Sequence, residues 1–315
     1  MMPNLIALDY VLGEIAEPYD AVENWQHRAE RLRMAPDPEL WGWGEVRRSA
    51  RSCAQLAVET GQATLDRAGV HGSDVDELYL CSTAFSPSLA DQSAFVAEVT
   101  SGLGLRHAAV TGVTLGRCTN LLLAVRAACA AIAARQCGVA LVITADRISG
   151  DAERLESFAL FSDGAASCLV VPSDGGDPSG EHGGFRVEGS AVSQDLCANG
   201  VGEQISAELA IAVNKRIEDA TSVSPGDIAG VMHNNLYIPL VTLKESQAGF
   251  RSDQLFLANI ARFGHCFAAD PLINLVDRYR ASELVDGERY LLASSVPGMR
   301  AGVLVRYRAP VHTTS

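Results

Sequence analysis

The sequence predicts an α/β fold made of two halves that repeat one unit, on three observations. Amphipathic or apolar helices alternate with short apolar strands along most of the chain. The elements recur at a nearly constant separation. Asp74-Val75 and Asp227-Ile228 precede matching strands 153 residues apart, and the strands that begin at 139 and 290 lie 151 apart. An aperiodic stretch, PSDGGDPSGEHGG at 172–184, separates the two sets. The expected halves are therefore residues 1–172 and 185–315. With 48% hydrophobic and 20% charged residues in 315, the composition supports a large core and not a disordered chain.

Taken in order, residues 46–69 read as an amphipathic helix that stops at a glycine. A strand follows at 76–82, a helix at 92–103 and a strand at 111–115. The run 121–135 is apolar on nearly all sides, which places it in the centre of the molecule. VALVITA at 139–145 has no polar alternation, as expected of a strand covered on both faces. CLVVP at 168–172 closes the first half. The second half reads as a strand at 185–194, a helix over 202–220, and a short strand within 227–234. A helix and turn at 255–264, a helix within 271–282, and strands at 290–296 and 302–307 complete it.

Several function classes are excluded at this stage. The net charge of −13 opposes a nucleic-acid footprint, which needs clustered Lys and Arg. No uncharged apolar run reaches the length of a membrane span, and MMPNLIALDYVLGEIAE lacks the basic and apolar regions of a secretory leader. The eight cysteines, at 53, 81, 118, 129, 137, 168, 197 and 266, have irregular spacing and no CxxC pair. That pattern predicts neither a metal site nor a disulfide framework, and a reducing cytoplasm is the expected compartment.

The chemistry-bearing residues are few. Cys118 follows a strand and Gly116-Arg117 and precedes the buried helix. The free N–H groups and positive end of a helix there favour a thiolate and an oxyanion beside it. A buried small cysteine at a strand–helix corner fits the local pattern equally well. Thr119 or Asn120 stands where a helix cap is expected. Of seven histidines, His27, His71, His107, His182 and His312 sit in polar surroundings and read as solvent-facing. His233 ends an apolar strand, the place where α/β proteins put ligands. His265 lies at a helix entrance 147 residues after Cys118, the corresponding place in the other half. Asp270 reads either as the partner that orients a histidine or as a helix cap before Pro271.

The segments GRCTNLLLAVRAACAAIAARQCGVALVITAD, LFSDGAASCLVV, VMHNN and FGHCFAADPLINL, in this order, resemble the thiolase-fold condensing enzymes, most closely the β-ketoacyl-ACP synthase III branch. The resemblance spans residues 5–307. It implies a thiolase fold, with the two halves stacked as five αβαβα layers, and a homodimer. It implies that Cys118 takes an acyl group from acyl-CoA or acyl-ACP, with no resident cofactor. It also implies a catalytic role for His233, a family turn at Phe161-Ser162-Asp163-Gly164-Ala165, and coenzyme A contacts at Trp25, Arg28 and Arg154. His265 stands where synthase III enzymes have asparagine, and resembles the second histidine of the elongating ketosynthases. The resemblance also implies that Ser294-Ser295-Val296-Pro297-Gly298-Met299 is the turn that completes the oxyanion hole. Pro297 has no N–H, which leaves Val296 or Gly298 as donor. The expected activity is condensation of the acyl group with malonyl-ACP in fatty-acid or polyketide synthesis. The alternatives are transfer to a hydroxyl, amine or carrier without decarboxylation, and a silent subunit that only binds. Residues 85–89 are expected in the acyl-pocket wall.

Overall fold

The computed structural model describes residues 2–173, 183–197 and 205–310. Most of the aperiodic stretch at 172–184, the first residues of the helix expected over 202–220, and His182 and His312 lie outside the described residues. The first half contains β1 (Pro3–Leu12), β2 (Ile15–Pro18), α1 (Trp25–Arg31), α2 (Pro38–Trp41), β3 (Glu45–Arg48), α3 (Cys53–Ala68), β4 (Glu77–Cys81), α4 (Leu89–Gly102), β5 (Ala109–Val113), α5 (Asn120–Ala133), β6 (Ala140–Asp146) and β7 (Gly164–Pro172). The second contains β8 (Gly184–Gln194), α6 (Ala207–Thr221), β9 (Gly230–Met232), α7 (Ile238–Gln247), α8 (Ala258–Phe263), α9 (Asp270–Arg280), β10 (Arg289–Val296) and β11 (Met299–Arg308).

Among the described residues, nine strands form one sheet in the order β5-β4-β6-β7-β1-β8-β11-β10-β9. The order is a mirror about the β1–β8 junction, where Asn4 faces Arg186 and Leu5 faces Phe185. In the first half β4 and β6 are parallel, and β7 runs antiparallel between β6 and β1. In the second, β9 and β10 are parallel, and β11 runs antiparallel between β10 and β8. The counterpart of β5 is reduced to one parallel bridge between Val231 and Leu255.

Helices α5 and α9 lie between the two halves of the sheet. Their Leu121, Leu122, Val125, Leu272, Ile273 and Leu275 pack in one core with residues of β6, β7, β10 and β11. Helices α3 and α4 cover the outer face of the first half, and α6 covers that of the second. This gives the five layers α-β-α-β-α. Leu141, Val142 and Ile143 of β6 are all fully buried, which is why that strand shows no polar alternation.

The local reading needs three corrections. Residues 46–69 are not one helix: β3 takes the first of them and α3 begins at Cys53. Ser52 stops the helix there with a capping box. Its Oγ accepts the Gln55 N–H at 3.0 Å, and the Gln55 side chain accepts the Ser52 N–H at 2.8 Å. The helix expected over 255–264 is only α8, because Leu255 is held extended by its bridge to Val231. Strand β1, at the junction of the halves, has no counterpart among the elements expected from the sequence.

Candidate active site

After β5 the chain makes a short 3₁₀ turn at Arg117–Thr119 and enters α5. Cys118 sits in that turn, 8% exposed, among Phe161, Leu236, Phe267, Val296 and Met299. Neither expected cap forms. The Thr119 hydroxyl donates to the Gly116 carbonyl at 2.8 Å, and the Asn120 amide donates to Ser82 O at 3.0 Å. The N-terminal end of α5 thus faces the Cys118 turn without a side-chain cap. Arg117 adopts φ 53°, a left-handed conformation that is strained for a residue with a Cβ. Its guanidinium donates to the Pro297 carbonyl and so ties the Cys118 turn to the β10–β11 turn.

His265 Nε2 lies 3.3 Å from Cys118 Sγ, although 147 residues separate them. Its Nδ1 bonds to Asp270 Oδ2, and Asp270 also accepts the N–H groups of Cys266 and Asn235, each at 2.7 Å. His265 and Asp270 are fully buried. Burial disfavours the His265 imidazolium, but the Asp270 carboxylate and the Cys118 sulfur outweigh it and raise its pKa to about 10. Asp270 thus orients the histidine, and the cap before Pro271 is not its role: the N-cap of α9 is Ala269.

The turn at Phe161–Ala165 clamps this histidine by its backbone. His265 N–H donates to Leu160 O at 2.8 Å, and Ser162 N–H donates to His265 O at 2.9 Å. Gly264 permits the approach: it has φ 68°, and a Cβ there would collide with the Leu160 carbonyl. The Phe161 ring packs on the imidazole with centroids 4.9 Å apart.

His233 is also fully buried, at the end of β9. Its Nδ1 is 2.6 Å from the Asn234 carbonyl oxygen. Around it lies a network that sequence reasoning missed. Asn234 Oδ1 accepts the Ser295 N–H at 2.6 Å, and the Ser294 hydroxyl donates to Cys118 O at 2.6 Å. Asn274 donates to His233 O at 2.9 Å and to Asn235 Oδ1 at 3.0 Å. Behind Ser295, Arg300 forms a two-pronged pair with Glu245 at 2.8 and 3.0 Å, and Lys244 joins it at 3.1 Å. Burial pushes the Lys244 ammonium down to about 8. No local pattern marks these residues, which meet only because α7, β10 and β11 pack there.

The model of the 3-oxoacyl-[acyl-carrier-protein] synthase III family matches residues 114–187. That stretch contains Cys118 and the 161–165 turn but neither histidine. Over nearly its whole length the chain is similar to ChlB3, titled an acyltransferase, at 17% identity and TM-score 0.80, covering 98% of this chain and 99% of that one. It is similar to the 3-oxoacyl-(acyl carrier protein) synthase III FabH of Pseudomonas aeruginosa PAO1 at 17% identity and TM-score 0.74, covering 98% and 99%. A variant of OleA from Xanthomonas campestris gives 13% identity and TM-score 0.76, covering 97% and 98%. No curated protein matches the sequence.

The chain has the thiolase fold.

Within this thiolase fold the remaining candidates separate by environment. Val296 and Met299 pair across the β10–β11 hairpin, and Gly298 takes the φ of 78° that the second position of a Pro-Gly turn requires. The three residues expected at a coenzyme A entrance are engaged within the chain. Trp25 packs against Tyr19 and Trp43. Arg28 bonds Leu155 O and Glu156. Arg154 is 4% exposed and makes a bidentate pair with Asp163, at 3.0 Å on both arms, which anchors the 161–165 turn. An open cavity of about 650 Å³ is lined by Phe85, Ser86, Pro87, Phe95, Val96 and Val110, among others, so the 85–87 part of the expected pocket wall does face a cavity. Asp146, at the end of β6, is pushed up to about 6 by burial even though Ser82 and Thr83 donate to it.

Proposed function

We propose that the chain is an acyltransferase that carries an acyl group on Cys118 and delivers it to a hydroxyl or amine without decarboxylation. The observation that carries this reading is the line Cys118–His265–Asp270. A carboxylate on Nδ1 keeps Nε2 directed at the sulfur and stabilises the imidazolium, the arrangement of a general base that serves a nucleophile. In the first half-reaction the Cys118 thiolate attacks the donor thioester. The C–S bond to the enzyme forms, the donor thiol leaves, and His265 gives it the proton. In the second, the acceptor O or N attacks the acyl carbonyl while His265 Nε2 takes its proton, and Cys118 leaves as thiolate. The oxyanion is met by the Cys118 N–H and a donor from the β10–β11 turn. We assign that donor to Gly298, because in a two-residue hairpin turn the flanking residues, here Val296 and Met299, bond each other.

Decarboxylative condensation with malonyl-ACP, in fatty-acid or polyketide synthesis, is the second reading. It is favoured by the family match over residues 114–187. Both readings take the donor as acyl-CoA or an acyl carrier protein, and neither needs a resident cofactor. With Trp25, Arg28 and Arg154 engaged internally, a coenzyme A grip through these three requires their present partners to be displaced. We further propose two thiolase-like halves, 1–172 bearing the nucleophile and 185–315 bearing the histidines. We propose a homodimer that pairs along the exposed edge strand β5, whose residues from Ala109 to Gly112 are exposed. Eight free cysteines favour the cytoplasm.

Intact-protein mass spectrometry tests the core claim. A single acyl mass should appear with an acyl-CoA or acyl-carrier donor and vanish in Cys118→Ala. If no donor adds mass, the silent-subunit reading takes its place. CO2 release from malonyl thioester during turnover, without ester or amide product, would establish condensation instead.

A further inference from the structure

His233 carries a hydrogen-bonding polarity that the reaction has to accommodate. Its Nδ1 contacts the carbonyl oxygen of Asn234 at 2.6 Å. A carbonyl only accepts, so Nδ1 holds the hydrogen. Burial lowers the imidazole to about 4, against the Asn234 carbonyl and Glu245, so the ring is neutral near pH 7. A neutral imidazole has one N–H. Nε2 is therefore a bare lone pair, fully buried and without a hydrogen-bond partner among the described residues. A buried acceptor left in this state is costly unless a ligand completes it.

The peptides beside this ring lead to the reacting groups. Asn234 receives the Ser295 N–H, and Ser294 holds the Cys118 carbonyl. Asn235 N–H donates to the carboxylate that orients His265. Arg300 and Lys244 both donate to Ser295 Oγ, at 2.8 and 3.2 Å, which fixes the strand end from behind. The backbone on both sides of this ring is therefore tied to the segments that carry Cys118 and His265.

We infer that His233 selects the second substrate as a hydrogen-bond acceptor: Nε2 receives an N–H or O–H beside the attacking atom, and favours a primary amine over a malonyl thioester. The inference rests on Cys118 delivering its acyl group to an O or N acceptor. An enolate or thioester oxygen presents lone pairs, and a lone pair on Nε2 repels them; holding that oxygen would need Nε2–H. A primary amine brings two N–H groups. One proton passes to His265 as the C–N bond forms and the C–S bond to Cys118 breaks, and the other hydrogen stays bonded to His233 until the amide leaves.

Two measurements test this on the full chain. The first is 15N NMR of histidine-labelled protein at pH 7, with His233 assigned by the signals lost in His233→Leu. The expected spectrum has a protonated Nδ1 and a bare Nε2; a protonated Nε2 overturns the inference. The second follows the acetyl-enzyme, formed from acetyl-CoA, as it transfers to ethylamine, read per acylated molecule. His233→Leu should slow that transfer by about 10–100-fold, the worth of one hydrogen bond in a buried site. Equal rates overturn the role of His233 and leave the proposed function standing. If the wild-type acetyl-enzyme ignores ethylamine and instead releases CO2 from malonyl-CoA, both fall.

Discussion

Asp270 shows how much one carboxylate decides. It is bonded to His265, Cys266 N–H and Asn235 N–H at once, so it fixes the imidazole and two backbone segments together. Asp270→Asn should keep the fold but hold His265 in the wrong tautomer. Acylation of Cys118 from acetyl-CoA, followed by intact mass, should slow by about 10²–10⁴-fold. The two histidines should also separate in their pH linkage. His265 has its pKa raised to about 10, so its stabilising contribution is complete below the unfolded value near 6.5 and is lost as pH rises through 10. The Tm gap between the wild type and His265→Gln should shrink over that range. His233 is lowered to about 4, so its contribution is present above 6.5 and is lost as pH falls through 4. His233→Leu should accordingly lose less Tm than the wild type between pH 6.5 and 4. Glu245, Lys244 and Asp270 are the charged groups that act on this ring.

At the scale of elements, the site depends on where short segments stop. The Ser52 capping box starts α3 after β3, and β3 carries Arg47, whose N–H donates to Ser162 Oγ in the 161–165 turn at 2.7 Å. Ser52→Ala should cost about 1 kcal/mol in denaturant unfolding and leave acylation near the wild-type rate. Gly264→Ala is a harsher change. It drives a Cβ into the Leu160 carbonyl, the group that receives the His265 N–H. Both stability and acylation should fall, whereas Gly61→Ala, inside α3 where a Cβ meets the side-chain ends of Ile143 and Leu103, should leave acylation near the wild-type rate. The capping sequence Ser52–Gln55 was there to be read, but a 24-residue amphipathic stretch concealed it. The close approach at Gly264 was not readable, because it depends on a contact with residue 160.

At the scale of the molecule, α5 and α9 pack between the two parts of the sheet, and a buried ionic cluster ties α7 to β11. Arg300 and Glu245 are fully buried, and the Arg300 and Lys244 cations hold the Glu245 carboxyl down at about 2 against burial. Arg300→Met would leave that carboxylate without its two-pronged partner, at a cost of about 3–5 kcal/mol by denaturant titration. Replacing Arg300, Glu245 and Lys244 together with apolar residues should recover much of the loss, because paired burial is weakly stabilising at best and no buried charge is then left unpaired. If the single and triple variants unfold alike, the cluster is not what holds this strand end.

The sequence by itself determined the α/β class, the buried central helix, the doubly covered strand β6 and the strand–turn–helix placement of Cys118. These follow from periodicity and local chemistry, which act over a few residues. Only the tertiary structure decided that Cys118 touches His265 across 147 residues, that Asp270 serves the histidine and not the helix cap, and that Arg154 is buried on Asp163. The tautomer of His233 belongs with these. Each depends on which strand ends the packing of two half-sheets brings together, and separation along the chain does not encode that distance.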